Sequence, residues 1–274
     1  MKVVLFCGGK GLRLRDHPDN LPKPMVTIGH RPILWHVMRY YAHFGHTDFV
    51  LCLGHGAHQI KDYFLNYNEA MSNDFVLSNG GKTVELLSSD IDDWNITFVD
   101  TGQHASVGER LYAVREHVGD DEIFLATYAD GLANLDLDAY VDSAISVGKV
   151  ASFVAVHPAQ TFHVADIDSG GSVKSLAAVT DAELWVNGGF FVLQREIFDY
   201  MRPGEELVIE PFQRLIDADQ LWAYKHDGGF WVMDTFKEYM ELEDLHASGN
   251  APWEVWSSTT GSAVHRQGAL GRSR

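Results

Sequence analysis

The chain has 274 residues, and its 38 Asp and Glu outnumber its 21 Lys and Arg to give a formal net charge of −17. A surface field of that sign repels nucleic acid and anionic membranes, so neither is an expected partner. Hydrophobic residues at 46% are ordinary for a globular protein, no apolar run reaches the ~20 residues that span a bilayer, and two cysteines, Cys7 and Cys52, are too few for a disulfide framework or a thiolate metal cluster.

With no signal peptide read at the start, the expected location is cytoplasmic. Val3–Phe6 is an apolar run that reads as a buried parallel strand. Gly8, Gly9 and Gly11 follow it, and a glycine-rich loop at a strand's carboxyl end lets backbone N–H groups approach an anion closely. Arg13, Arg15 and Lys23 bring positive charge to the same end. A triphosphate suits that arrangement. The loop lacks the Gly-Lys-Ser/Thr ending of a P-loop and the third glycine of a dinucleotide fingerprint.

Residues 32–44 open with Pro32 and carry Ile33, Leu34, Val37, Met38, Tyr41 and Phe44 at helical spacing, with Gly45 as the stop. Asp48–Leu53 is the next strand and closes a β-α-β unit. Residues 54–64 read as a second loop at the same sheet edge, then a short helix. Residues 66–94 are aperiodic and rich in Asn, Ser, Asp and Gly. An insertion of this length reads as functional or interfacial, of the kind that serves oligomerisation, with a hairpin expected around Asn79–Lys82. Asn95–Asp100 restores the sheet, a helix starts near Ser106 as N-cap, and Glu122–Thr127 is another buried strand.

Beyond about residue 136 short strands separated by Gly, Ser and Asp turns replace the regular alternation. Helices are expected at 210–216 and 236–246, and a strand at 221–225. No Pro/Ser-rich linker divides the chain. One domain over 1–256 is expected, with a nucleotide half at about 1–135, an acceptor half at about 136–256, and a flexible tail at 257–274.

Two carboxylates stand at the ends of apolar stretches: Asp130, after Thr127-Tyr128-Ala129, and Asp234, after Phe230-Trp231-Val232-Met233. Alone, each reads as a turn residue. Beside a phosphate-binding loop, the pair suits Mg²⁺, which takes one or two carboxylates together with phosphate oxygens.

The motifs Gly8-Gly9-x-Gly11-x-Arg13-Leu14, Lys23-Pro24-Met25, Val99-Asp100-Thr101-Gly102, Tyr128-x-Asp130-Gly131, Asn187-Gly188-Gly189-Phe190-Phe191 and Met233-Asp234-Thr235 resemble the sugar-1-phosphate nucleotidyltransferase family. Within it the chain is most similar to the cytidylyltransferases acting on glucose 1-phosphate. The resemblance runs from Met1 to about Trp256. It implies an α/β fold, a Rossmann-like three-layer arrangement in which helices flank a mixed, mostly parallel sheet, with a smaller β-rich acceptor part. It also implies CTP and a small phosphorylated acceptor as partners, Mg²⁺ as cofactor and a homo-oligomer. By the same resemblance Arg13 and Lys23 are catalytic and Asp130 and Asp234 hold the metal. Gly8, Gly9, Gly11, Leu12, Arg110 and Tyr128 contact nucleotide, while His163, Val179, Asn187 and Gly188 contact the acceptor.

The chain also departs from the pattern. Leu12 stands where the family usually has Thr, Ala129 where Gly is usual, and the family's Glu-Lys-Pro segment is matched by 175–180, with no lysine, around Val179. His163, Lys174 and Lys225 are candidates to replace that charge. The residues therefore leave open a different phospho- or phosphono-acceptor, or a catalytically weak nucleotide-binding subunit, and they do not select CTP over UTP or dTTP.

Overall fold

A computed structural model describes residues 1–9, 21–158, 163–179 and 184–257. The main elements in chain order are β1 (Lys2–Phe6), α1 (Ile33–His43), β2 (Asp48–Leu53), α2 (Ala57–Leu65), β3 (Phe75–Ser78), β4 (Thr83–Leu86), β5 (Asn95–Asp100), α3 (Val107–Ala113), β6 (Ile123–Tyr128), β7 (Gly131–Ala133) and α4 (Leu137–Val147). The chain continues with β8 (Ala151–Val156), β9 (His163–Ile167), β10 (Val173–Ala178), β11 (Val186–Asn187), β12 (Phe191–Gln194), α5 (Glu210–Asp217), β13 (Leu221–His226), β14 (Phe230–Val232) and α6 (Phe236–Ala247).

The central sheet runs β13-β8-β12-β6-β1-β2-β5, with short β11 beside β8 as well. The pairs β6-β1, β1-β2, β2-β5 and β13-β8 are parallel, and only β11 and β12 run against their neighbours. Val3, Val4 and Leu5 are fully buried, as expected of strands covered on both faces. One face packs Val3 and Leu5 with Ile33, Leu34 and Val37 of α1 and Tyr140 of α4. The other packs Val4 and Phe6 with Leu111 of α3 and Phe212 and Leu215 of α5. The fold is therefore a three-layer, mostly parallel α/β sheet of the Rossmann-like kind.

Helix α1 starts after an extended Pro32, and Gly45 follows it at φ +81°. Ser106 caps α3 through a reciprocal capping box with Glu109. Helix α4, not anticipated from the sequence, has Asp136 as its N-cap and left-handed Gly148 at its end.

Two ribbons stand away from this body. In the insertion, β3 and β4 form the expected hairpin, and every residue of both strands is exposed. Arg31 holds the base of the insertion. It donates to the Asp90 carboxylate, the Tyr67 hydroxyl and the Ser72 carbonyl, and its guanidinium lies 4.4 Å from the Trp35 ring centroid. Later in the chain, β9 and β10 form a second exposed ribbon.

Buried His36 links α1 to the preceding turn, its Nε2 donating to the Ile28 carbonyl at 3.2 Å. Burial pushes its pKa down to about 3. A histidine lowered on folding contributes stability that is present above its unfolded value of about 6.5 and is lost as pH falls toward 3. Protonation of the unfolded state alone then costs up to about 1.4 kcal/mol per pH unit. In His36→Leu, the unfolding free energy measured by urea denaturation should fall less steeply between pH 6 and pH 4 than in the parent. Equal slopes would remove His36 from the acid sensitivity.

Candidate active site

The site lies at the carboxyl edge of the parallel strands. Register sets Phe6 beside Cys52 on one side and Tyr128 on the other, so the segments leaving β1, β2 and β6 emerge together.

Lys23 begins a single 3₁₀ turn, Lys23–Met25, between Pro22 and Pro24. The prolines fix the local backbone, and the Met25 N–H closes the turn on the Pro22 carbonyl at 2.8 Å. Its Nζ lies 2.6 Å from Asp130 Oδ2 and makes a second short contact with Asp234 Oδ1. Burial alone would lower the ammonium pKa, but the two carboxylates outweigh it and hold the pKa above the ordinary lysine value.

The carboxylates converge through backbone pairing. β7 and β14 pair antiparallel with Gly131 opposite Val232, and the Met233 N–H donates to the Asp130 carbonyl at 3.0 Å. Asp234 is then fixed by α6: Glu238 Oε2 accepts from the N–H groups of Asp234 and Thr235, and the Thr235 hydroxyl accepts from the Glu238 N–H. The Thr-x-x-Glu spacing of this capping box is present in the sequence and was missed in reading it for function.

Among the described residues no group of three or more His, Cys, Asp or Glu is placed to hold a metal. Two converging carboxylates nevertheless fit a hard divalent cation that takes its remaining oxygens from phosphates and water. The donor chemistry therefore fits a divalent metal.

Gly8 is packed against Arg110. A Cβ on Gly8 would lie 2.0 Å from Arg110 Nη1, and one on Gly54 would meet the same guanidinium, whereas one on Gly9 would meet no atom of the described residues within 4 Å. Arg110 is 4% exposed. Its Nη1 donates to the Leu53 carbonyl, the Thr101 hydroxyl and the Gly102 carbonyl, and its Nη2 to the Gly8 carbonyl at 3.0 Å. These acceptors are all neutral oxygens, and burial lowers the guanidinium pKa. Arg110 thus sits beneath the loop, as a brace joining the segments after β1, β2 and β5. Because the peptide is trans, holding the Gly8 carbonyl inward turns the Gly9 N–H outward.

Tyr128 packs on Phe6 and Phe191 with ring centroids 6.0 and 5.7 Å apart. Burial raises its hydroxyl pKa to about 12, and it hydrogen-bonds the Asn187 side chain. Asn187 Oδ1 also accepts from the Gly189 N–H at 2.9 Å. Gly188 lies so close to β8 that a Cβ would approach Val156 Cγ1 to 3.1 Å, and Gly189 has φ +80°. Tyr128, Asn187 and Gly188 therefore form one local unit.

His163 is exposed at the start of β9, paired with Ala178. Val179, next in the chain, is buried at 8% exposure and offers no polar group. Lys174 lies out on the ribbon, 3.3 Å from Asp168, and Lys225 lies over the Trp185 ring. A cavity lined by His157, Val186, Phe230, Trp231, Val232 and Glu238 lies beside the Asp234 segment. Gly11, Leu12 and Arg13, together with the tail from 258, fall outside the described residues.

A family model described as nucleotidyl transferase matches residues 2–243. The chain belongs to this family. The transferase is 39% identical over 258 residues to the glucose-1-phosphate cytidylyltransferases of Salmonella typhi and Salmonella typhimurium, which spans 93% of this chain and 100% of each relative. Among solved structures, an apo UDP-glucose pyrophosphorylase aligns with a TM-score of 0.67 over 91% of this chain and 99% of its own. At 18% identity that likeness speaks to the fold.

Arg110→Met should leave buried carbonyl oxygens unpaired and lower stability by about 2–4 kcal/mol. Chemical denaturation measures this, and a loss below about 0.5 kcal/mol would show that the brace contributes little.

Proposed function

We propose that this transferase moves CMP from CTP to the phosphate of a sugar 1-phosphate, glucose 1-phosphate being the expected acceptor, and releases pyrophosphate. The observation that carries the reading is the convergence of Lys23 with Asp130 and Asp234 at the edge where the glycine loop leaves β1. Identity to cytidylyltransferases that extends through the acceptor half favours this acceptor over the alternatives left open by the residues.

An acceptor phosphate oxygen attacks the α-phosphorus of CTP in line, forming a new P–O bond. The bond from the α-phosphorus to the bridging oxygen breaks, and pyrophosphate leaves with the electron pair. The nucleophile is already an anion, so no general base is needed. Catalysis consists of positioning and charge neutralisation. Lys23 contacts the α-phosphate, Arg13 neutralises the departing pyrophosphate, and the backbone of Gly8, Gly9, Gly11 and Leu12 cradles the triphosphate, with Arg110 holding the Gly8 carbonyl from beneath. Tyr128 shapes the nucleotide side. Asn187 and Gly188, with His163 and Val179 at the foot of the ribbon, bound the acceptor. Asp130 and Asp234 would hold Mg²⁺, which supplies positive charge to the phosphates when bound.

The chain is read as one domain over 1–256, acting in the cytoplasm, where buried Cys7 and Cys52 stay free thiols. No helix among the described residues is long and apolar enough to cross a membrane. We also infer a homo-oligomer. A two-stranded hairpin exposed on both faces is marginal by itself, yet β3 and β4 expose Phe75, Val76, Leu77, Val84 and Leu86, and a second copy of the chain would cover them.

Incubation with CTP, Mg²⁺ and glucose 1-phosphate should release pyrophosphate and form a CDP-sugar. No turnover with any sugar 1-phosphate would overturn the assignment. Asp130→Asn and Asp234→Asn should each lower kcat at least ~100-fold while leaving the circular dichroism spectrum intact. For assembly, sedimentation velocity should find the parent larger than a monomer and Leu77→Asp shifted toward the monomer; a monomeric parent would refute the oligomer.

A further inference from the structure

Lys23 occupies the position between the two carboxylates. Its ammonium reaches Asp130 and Asp234 at once, and its side chain is only 13% exposed. With the ammonium in place the three groups carry a net charge of −1, whereas the aspartates alone would carry −2. A divalent cation arriving alone must therefore compete with an internal cation already on both ligands. It must also leave a largely buried ammonium without an anion, which is costly in a site of low polarity.

A phosphate brought in with the metal changes that balance. Its oxygens give the displaced ammonium a new partner, so the lysine can pass from the carboxylates to the phosphate as the metal takes the carboxylates. We propose that Lys23 serves as a built-in counter-cation, closing the Asp130–Asp234 pair to free divalent metal and releasing it only when metal and nucleotide enter together. The inference rests on the metal assignment above and adds a second position for the lysine. Metal and nucleotide then bind with positive coupling, which by linkage is reciprocal.

Backbone geometry supports a lysine that moves while its surroundings stay fixed. Prolines on either side of Lys23 set its backbone in the Lys23–Met25 turn, Asp130 is held by the Met233 N–H, and Asp234 is held by α6 through Glu238. Redirecting the ammonium by rotation about the lysine side-chain bonds leaves these backbone anchors in place.

The test is a Mn²⁺ titration of the nucleotide-free protein, following free Mn²⁺ by electron paramagnetic resonance. Lys23→Met and Lys23→Gln should each bind Mn²⁺ at least tenfold more tightly than the parent. The glutamine variant keeps a hydrogen-bond donor without the charge and guards against a methionine variant that fails to fold. Adding Asp130→Asn to either variant should abolish the gain. In the parent, Mg²⁺ alone should leave Tm nearly unchanged, and Mg²⁺ with CTP should raise it. Equal Mn²⁺ affinity in the parent and both lysine variants would overturn the proposal, as would a gain that survives Asp130→Asn. The titration contains no nucleotide, so a positive result stands even if CTP proves not to be the substrate. Failure of the transferase assay alone would count against the function and not against the lysine.

Discussion

The parallel register of β6, β1 and β2 is the constraint on which the site depends. Phe6 is level with both Cys52 and Tyr128, so the glycine loop, the Gly54 turn and the Asp130 tip leave the sheet at one height. Any slip by one residue would reverse which side chains face each layer, sending Val4 and Phe6 into the α1 face and Val3 and Leu5 into the α3 face. The burial of both sets therefore fixes the height of the loops, and core packing and site geometry become a single requirement.

Arg110 adds a polar tie at that edge. A buried guanidinium normally calls for a carboxylate. Here neutral oxygens from the segments after β1, β2 and β5 share the charge, and a positive charge remains beneath the loop assigned to the triphosphate. A carboxylate in their place would satisfy the arginine equally well but would cancel the field that an anionic ligand meets. Given a chain of net charge −17, that local field matters, because the global one opposes the substrate.

Local patterns made much of this legible in advance. The run Val3–Phe6, the Pro32-started helix, the Asn79–Lys82 turn and the Ser106 cap all lie in short windows, and each fell close to its predicted place. Lys23, Asp130 and Asp234 were legible as residue types at strand ends, but not as one cluster, because their meeting depends on the β7–β14 pairing across about a hundred residues. The family resemblance makes Arg110 a nucleotide contact, while the structure turns its guanidinium to backbone and hydroxyl oxygens beneath the loop. Whether an arginine points up at a ligand or inward at carbonyls is set by tertiary packing, and helix spacing alone does not determine it. Helix α4 was overlooked because Asp136 and Gly148 are ordinary turn residues until a helix is drawn between them.

The second half of the chain is where local pattern carried least. Its ribbon, β9 and β10, contributes nothing to the described core, so hydrophobic periodicity has no buried face to report. The same exposure bears on the lysine missing near Val179. Of the three candidates to replace it, His163 is exposed at the foot of the ribbon, Lys174 is paired with Asp168 farther along it, and Lys225, on the strand paired with β8, lies over Trp185. None of the three is in contact with the Lys23 cluster among the described residues. Lys23, by contrast, stands directly against Asp130 and Asp234 at the strand edge.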